Sequence, residues 1–453
     1  MSMRSDIIFP ALVLAPVFLV LACGQENGGE DTPGDISGVS FVKLAPEAMS
    51  TPVSVVLEYE IDNDVIVENL TSYPECGICW DTDGTPVIED NFQAGPKLTR
   101  NSGKETQVIS NVLLDYGKTY YFRAYFRNSR EVYYSEDIVE GRLGEEPSEI
   151  KFDWTRLDTP ELPSSVSVYF TDSPLDGRPF NAWYAVADVT SSSDVELKVN
   201  LHDRIKTVDE QAAEDPKCCV LVNAAYFLAS GSLGISVVGG SEQGMVTTYR
   251  GSLRPEHPEY NSVYPATRGI FGVDADGMPS VYWTGSGGAI CYYDRPLPSL
   301  IGSDPYAMMS PKLPSAPVDW KPEYAISAGP VLLYDGKCPF DFTLTGQGEE
   351  YYMHNFEMIP YDIFGDDVRP DRTAVGYTED GRVILFICDG RCEKSDGALL
   401  TELAMIMKGL GCTYAVNYDG GGSTRMIVGS ENMNDVTAEA SRQVWSSIGF
   451  YRK

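Results

Sequence analysis

The sequence predicts an α/β C-terminal domain, a mixed sheet with helices, preceded by an all-β sandwich. Three observations carry this reading. Residues 370–428 read as strand, turn, strand, helix, strand, glycine loop, strand. Residues 39–146 read as short strands separated by turns. Between the two regions, Gly141–Ser148 (GRLGEEPS) has the composition of a linker. At 453 residues the chain is long enough for two or three domains.

The N-terminus reads as a targeting signal. Arg4 precedes an apolar run, Ile7–Ala22, broken by Pro10 and Pro16. That run is too short and too proline-broken to span a bilayer, and it predicts a signal peptide over residues 1–22. Val20-Leu21-Ala22-Cys23-Gly24 reads as a lipoprotein cleavage box, so lipidation is expected at Cys23. Residues 23–38, rich in Gly, Glu and Asp, read as a flexible tether. The expected location is a bacterial cell envelope, lipid-anchored on the periplasmic or cell-surface side.

Charge and composition narrow the chemistry. The chain has 34 basic and 66 acidic residues, a net charge of −32. This disfavours nucleic acid and anionic membrane surfaces as partners, and leaves the lipid anchor as the expected membrane contact. It would also repel a phosphorylated substrate unless local arginines offset it. With only three histidines, His202, His257 and His354, carboxylates are the better-supplied acid/base groups. Of ten cysteines, nine follow Cys23, an odd number that leaves at least one without a partner in the chain. Disulfides are allowed in an exported protein, but their pairing cannot be read from spacing.

Within 39–146, Val53–Ile61, Gly77–Trp80, Thr106–Leu114, Thr119–Arg127 and Glu131–Tyr134 are strand-like. Cys76 and Cys79 form a CxxC with no second pair nearby, so they read as strand cysteines and not as a zinc site. Asp81-Thr-Asp83-Gly84 and Asp274-Ala-Asp276-Gly277 begin like calcium loops but lack the closing glutamate, and read as turns. Tyr120-Tyr121-Phe122-Arg123-Ala124-Tyr125 with Asn128, and the Cys76–Pro86 stretch, resemble fibronectin type III domains of bacterial surface proteins. That resemblance implies an immunoglobulin-like sandwich.

The second domain is expected over 149–453. Ala182–Val189 reads as a strand and His202–Glu214 as an amphipathic helix. Cys219–Asn223 reads as a buried strand that delivers Asn223 to its end. Gly231–Val263 is Gly/Ser-rich loop, Arg295–Trp320 a proline-rich rim, and Tyr351–Asp367 irregular. Thr373–Thr378 and Val383–Asp389 form a hairpin around Asp380-Gly381. Ser395 or Asp396 is expected to cap a helix whose apolar face is Leu399, Leu400, Leu403, Ala404, Met407 and Leu410. Tyr414–Tyr418 is the next strand, running into Asp419-Gly420-Gly421-Gly422-Ser423-Thr424. Polar groups cluster where these strands stop, and ligands of α/β sheets bind outside strand ends.

Five blocks, in order over about 200 residues, carry a second resemblance. They are Asn223–Phe227, Ala325–Pro330, Arg372–Gly376, Cys388–Arg391 and Asn417–Thr424. Together they resemble the phosphodiester glycosidases. Two positions depart from that pattern: Tyr418 stands where the family commonly has leucine, and Arg425 where a small or hydroxylated residue is usual. The resemblance implies hydrolysis of a sugar-1-phosphodiester, such as an N-acetylglucosamine-1-phosphodiester, at the C1–O bond. The expelled phosphate monoester has a second pKa of about 6, so it leaves far more readily than an alcohol.

That chemistry needs one carboxylate to activate water or attack C1, and cations to hold phosphate. Asp419 is the first candidate carboxylate and Asp389 its partner. Arg372 is the third catalytic candidate; it and Arg391 suit bidentate phosphate recognition. Asn223 and Asn417 supply amides. Gly420 and Gly421 can turn N–H groups toward an anion, and Thr424 adds a hydroxyl. Each aspartate has a plainer reading, as a strand-end acceptor of backbone N–H groups. Glu402 is expected to be solvated or to support the site from behind. The sequence requires no cofactor; a divalent cation is compatible with the carboxylates, but no ligand spacing specifies a metal. The competing readings are a catalytically inactive glycan-binding surface lipoprotein and a metal-dependent phosphodiesterase. No GxSxG supports a serine hydrolase.

Overall fold

The computed structural model describes residues 41–69, 74–95, 98, 103–244, 248–250, 263–265, 268–286, 290–294, 301–302, 317–339, 351–352, 369–434 and 442–453. The expected signal peptide, tether and Cys23 lie outside these residues. So do residues 353–367 of the expected irregular stretch, with His354, and most of the proline-rich rim.

The expected α/β architecture is overturned. The protein is mostly β, with 47% strand and 8% helix. Every strand pairing in the three large sheets after residue 150 is antiparallel. The reason lies in one connection. The strands Val383–Cys388 and Cys412–Asn417, joined through the helix Leu400–Gly409, do not pair with each other. Both pair antiparallel with the strand between them, Arg372–Thr378. The helix therefore crosses over a middle strand, where an adjacent parallel pair would have made a βαβ unit.

This trio is the centre of a seven-stranded sheet. Its order is Thr155–Arg156, Ser167–Thr171, Ala182–Ala187, Val383–Cys388, Arg372–Thr378, Cys412–Asn417, Val331–Leu333. Both faces are covered, which is why Val383–Cys388 reads VILFIC without alternation. Val383, Leu385 and Ile387 enter the main core with Val375, Val416 and Tyr418. Ile384, Phe386, Ala374 and Ala415 face a second core, filled by Leu400, Leu403, Ala404 and Met407 of the helix. Residues of two further sheets complete the main core. One orders Val195–Lys206, Val444–Arg452, Cys218–Asn223, Met426–Val428, Glu431–Asn432; the other is six-stranded and centred on Tyr324–Ser327 and Arg268–Val273.

Two local expectations are corrected. His202–Lys206 is the end of a strand and not part of a helix, because Val195, Leu197 and Val199 alternate inward and the strand pairs with Val444–Arg452. The helix starts only at Val208, where Thr207 and Glu210 close a capping box. Ser395 and Asp396 do not cap the later helix: Ser395 Oγ donates to Asp389 O (2.6 Å), and Glu402 accepts the Leu399 N–H (2.8 Å).

Residues 42–141 build two antiparallel sheets around one apolar core. Cys76 and Cys79 lie buried within the strand Glu75–Asp81, and none of the nine cysteines after Cys23 forms a disulfide. This region is hydrogen-bonded to the loop after Val331–Leu333. Asn111 Nδ2 donates to Cys338 O (2.7 Å), and Lys337 Nζ binds Asp115 Oδ1 (2.8 Å) and Leu114 O (3.0 Å).

Candidate active site at one end of the seven-stranded sheet

The register brings the predicted residues to a single sheet end. Arg372 pairs with Cys388 and Ala182 with Cys388, while Ala374 pairs with Asn417. Asn181, Asp389, Asp371, Arg372, Asn417 and Asp419 therefore stand in a row where the strands start or stop. Asp389 and Asp419 follow strands that flank the same middle strand. Two strand spacings separate their backbones, roughly 10 Å.

The second sheet locks the row from the side. Asn223, buried at the end of Cys218–Asn223, donates from Nδ2 to Asp419 O (2.6 Å). Its Oδ1 accepts from Thr373 Oγ1 (2.8 Å) and from the Arg425 N–H (3.1 Å). Thr424 Oγ1 lies 3.3 Å from Thr373 Oγ1. Asn223 and Thr424 thus pin the glycine loop to the sheet. Asn417 donates to the Tyr226 hydroxyl (2.7 Å) and to Gly329 O (3.0 Å), and the Asp419 N–H donates to Ala224 O (2.9 Å).

Within that frame the glycine loop is one 3-10 turn, Gly421–Ser423. The Gly421 N–H donates to Asp371 O (2.8 Å), so it is committed to the protein and not aimed at an anion. A side chain at Gly420 would place its Cβ 2.6 Å from Asp371 O, which only glycine avoids. Asp419 is partly buried. Burial pushes its carboxyl up to about 6, against the pull of the Ser423 hydroxyl, the Arg442 charge and the Gly420 N–H.

The two arginines differ. Arg372 is 2% exposed, its Nε donates to Ala398 O (2.8 Å), and burial lowers its guanidinium to about 10. The Arg391 side chain is 58% exposed, and its Nη2 binds Asp371 Oδ2 at 3.2 Å. Asp371 is buried, and desolvation raises its carboxyl although Arg391 opposes the shift. Asp389 is buried at the floor of an open cleft of about 680 Å³, lined also by Asn181, Trp183, Lys394 and Met433.

Sequence reasoning missed Asp371 and Tyr226 as structural members of the site. Glu402 is not solvated: it grips Arg369 through both oxygens (2.7 and 2.5 Å). A signal for Asp371 was available, since it precedes Arg372 at the same strand start. The two departures from the family pattern face elsewhere. Tyr418 is fully buried in the main core, and Arg425 Nε lies 3.6 Å from Asp209 Oδ2. Among the described residues, no group of three or more His, Cys, Asp or Glu is placed to hold a metal ion.

Residues 308–451 match the phosphodiester glycosidase family. That span contains Arg372, Asp389, Arg391, Asn417, Asp419, Gly420, Gly421 and Thr424; Asn223 lies before it. The resemblance read from the signature blocks is thereby borne out, and it supports a glycosidase-type function. A curated relative, the SPbeta prophage-derived uncharacterized protein YomE of Bacillus subtilis, is 30% identical over 82 residues, 18% of this chain. The chain spans only 13% of that relative's length. Among solved structures, the catalytic domain of zebrafish N-acetylglucosamine-1-phosphodiester alpha-N-acetylglucosaminidase, auto-inhibited by its pro-peptide, aligns at 16% identity and a TM-score of 0.42. The alignment covers 67% of this chain and 89% of that one. A hypothetical protein from Synechocystis aligns at 15% identity and a TM-score of 0.40, covering 92% and 81%. A putative exported protein from Burkholderia pseudomallei aligns at 14% and 0.39, covering 92% and 99%.

Proposed function

We propose that the protein hydrolyses sugar-1-phosphodiesters at the C1–O bond, releasing free sugar and a phosphate monoester. The observation that carries this is Asp419: a partly buried carboxyl with a raised pKa of about 6, on a backbone fixed by Asn223 and Ala224, separated by one strand from an exposed guanidinium. A carboxyl poised near the working pH suits general base or nucleophilic work at C1. The leaving phosphate, with a second pKa of about 6, needs little protonation. Arg391, exposed and fixed at one nitrogen, supplies the planar donors that phosphoryl oxygens need. Arg372 is the buried cation of the row, and its role shifts from direct contact to holding the Ala398 carbonyl and offsetting local charge. Asp389, on the cleft floor, is the partner carboxylate.

The substrate class, N-acetylglucosamine-1-phosphodiesters or related envelope glycans, is part of the proposal. So are lipid attachment at Cys23 and placement on the periplasmic or surface side of the envelope. A fatty-acid label should mark the wild type and miss Cys23→Ala. The deciding assay for the reaction incubates purified protein with a sugar-1-phosphodiester and separates free sugar from sugar phosphate. Free sugar is the expected product. Sugar phosphate would mean P–O cleavage and a phosphodiesterase.

A further inference from the structure

We propose that Asp371 is a positioning residue for phosphate recognition, holding the Arg391 guanidinium against Gly421 at the edge of the Asp419 loop. The inference rests on the reading of Arg391 as the phosphate-binding cation. An exposed ion pair is by itself of little consequence. Three features set this one apart. First, its two halves are unequal: the Asp371 side chain is 9% exposed and the Arg391 side chain 58%. The carboxylate is a fixed post, and the guanidinium is the reachable end. Second, Arg391 has φ 55°, a left-handed backbone that a side chain rarely adopts; the loop is held in the conformation that points this arginine back over the sheet end. Third, Gly421 leaves the room. A Cβ there would lie 3.1 Å from Arg391 Nη2, and Gly421 is itself left-handed at φ 61°.

The same residue also sets the loop. Asp371 O accepts the Gly421 N–H at 2.8 Å while Asp371 Oδ2 takes Arg391 Nη2 at 3.2 Å. One residue therefore fixes the distance between the glycine loop after Asp419 and the guanidinium. Arg391 has five N–H donors, and the contact with Asp371 engages one nitrogen. The remaining edge of the fork suits two phosphoryl oxygens. In a chain of net charge −32, a pre-oriented cation at this point is what lets an anionic group approach the carboxylates.

The test is a double-mutant cycle read as Kd for inorganic phosphate by titration calorimetry, on wild type, Asp371→Ala, Arg391→Ala and the double variant. Asp371→Ala should weaken phosphate binding about tenfold, the loss of one oriented charge-assisted contact. In the Arg391→Ala background the same change should alter Kd by less than about twofold. Asp371→Asn keeps an oxygen acceptor and should stay within about threefold of wild type. On a sugar-1-phosphodiester, Asp371→Ala should raise KM and leave kcat within about threefold. If Asp371→Ala does not fold, Asp371→Glu, which moves the carboxylate by one methylene, takes its place in the cycle. An equal loss in both backgrounds would overturn the proposal, as would an unchanged Kd in folded Asp371→Ala. Phosphate binding that shows the coupling in a protein releasing no free sugar would uphold the Asp371–Arg391 assignment while removing the proposed reaction.

Discussion

The two ends of the same three central strands are built on opposite principles. At the start of Arg372–Thr378, buried polar and charged groups crowd together: Asp371, Arg372, Asp389, Asn417 and the partly buried Asp419. At the far end of the strand, Tyr377 stacks on Tyr414 with ring centroids 4.9 Å apart, and Tyr334 meets Tyr414 edge-on at 5.2 Å. The aromatic end gains area burial and ring contacts. The polar end carries desolvated charges, each of which costs stability unless paired. The contrast shows where the fold gives up stability for chemistry, and it can be broken at either end.

The largest expected effect is on catalysis at the polar end. Asp419→Asn should lower kcat by about 10²–10⁴-fold, with little change in substrate affinity. Full activity in that variant would leave Asp419 as a loop-fixing residue and return the role to Asp389. The same substitution should stabilise the protein. Burial raises the folded-state carboxyl to about 6, above its unfolded value of about 3.9, so the folded state binds this proton more tightly. Stability from this group is therefore fully present below about pH 4 and is lost as pH rises through about 6. At pH 7 Asp419→Asn escapes a cost of at most about 3 kcal/mol, reduced because the group is partly exposed to water. The expected result is a higher Tm at pH 7, shrinking toward pH 4; a lower Tm at pH 7 would show that the carboxylate is paired more strongly than burial penalises it.

Next in size is the pH profile of the wild type. If ionised Asp419 is required, kcat/KM should fall about tenfold per unit below an apparent pKa of about 6. A limb near pH 4 instead would transfer the requirement to a carboxyl of ordinary acidity. At the aromatic end, Tyr414→Ala should cost about 2–4 kcal/mol in denaturant unfolding, with turnover per folded molecule preserved. Loss of turnover without loss of stability would erase the division between the two ends. The smallest effect is expected at Asp209, half of whose side chain is exposed opposite Arg425. Asp209→Asn should cost less than about 1 kcal/mol and leave kcat/KM within about twofold.

Much of the site was legible in the residues themselves. Strand ends are marked by the switch from apolar β-branched runs to polar groups, so Arg372, Asp389, Asn417 and Asp419 stand out as candidates from the residues alone. Asn223 came from its motif, and its side chain does reach the loop after Cys412–Asn417. The match of residues 308–451 to phosphodiester glycosidases was equally legible, because short blocks in order are a local property of the chain.

What the sequence left open depends on strand partners. The run from 370 to 428 has the order strand, strand, helix, strand in either a parallel or an antiparallel sheet; the residues that decide between them are those of Arg372–Thr378, which sit between the two strands that the helix joins. His202–Glu214 reads locally as one amphipathic stretch, but Lys206 pairs with Val444, some 240 residues away, and ends a strand whose Val195–Leu201 pairs with Ser446–Arg452. The split between Arg372 and Arg391 is likewise tertiary. Both are arginines at a strand end, yet one is enclosed by the second core and the Ala398 carbonyl, while the other stands on an exposed turn against Asp371. Local chemistry determines which groups a strand end presents. Burial, and with it pKa, reach and charge pairing, depends on what the rest of the chain packs over them.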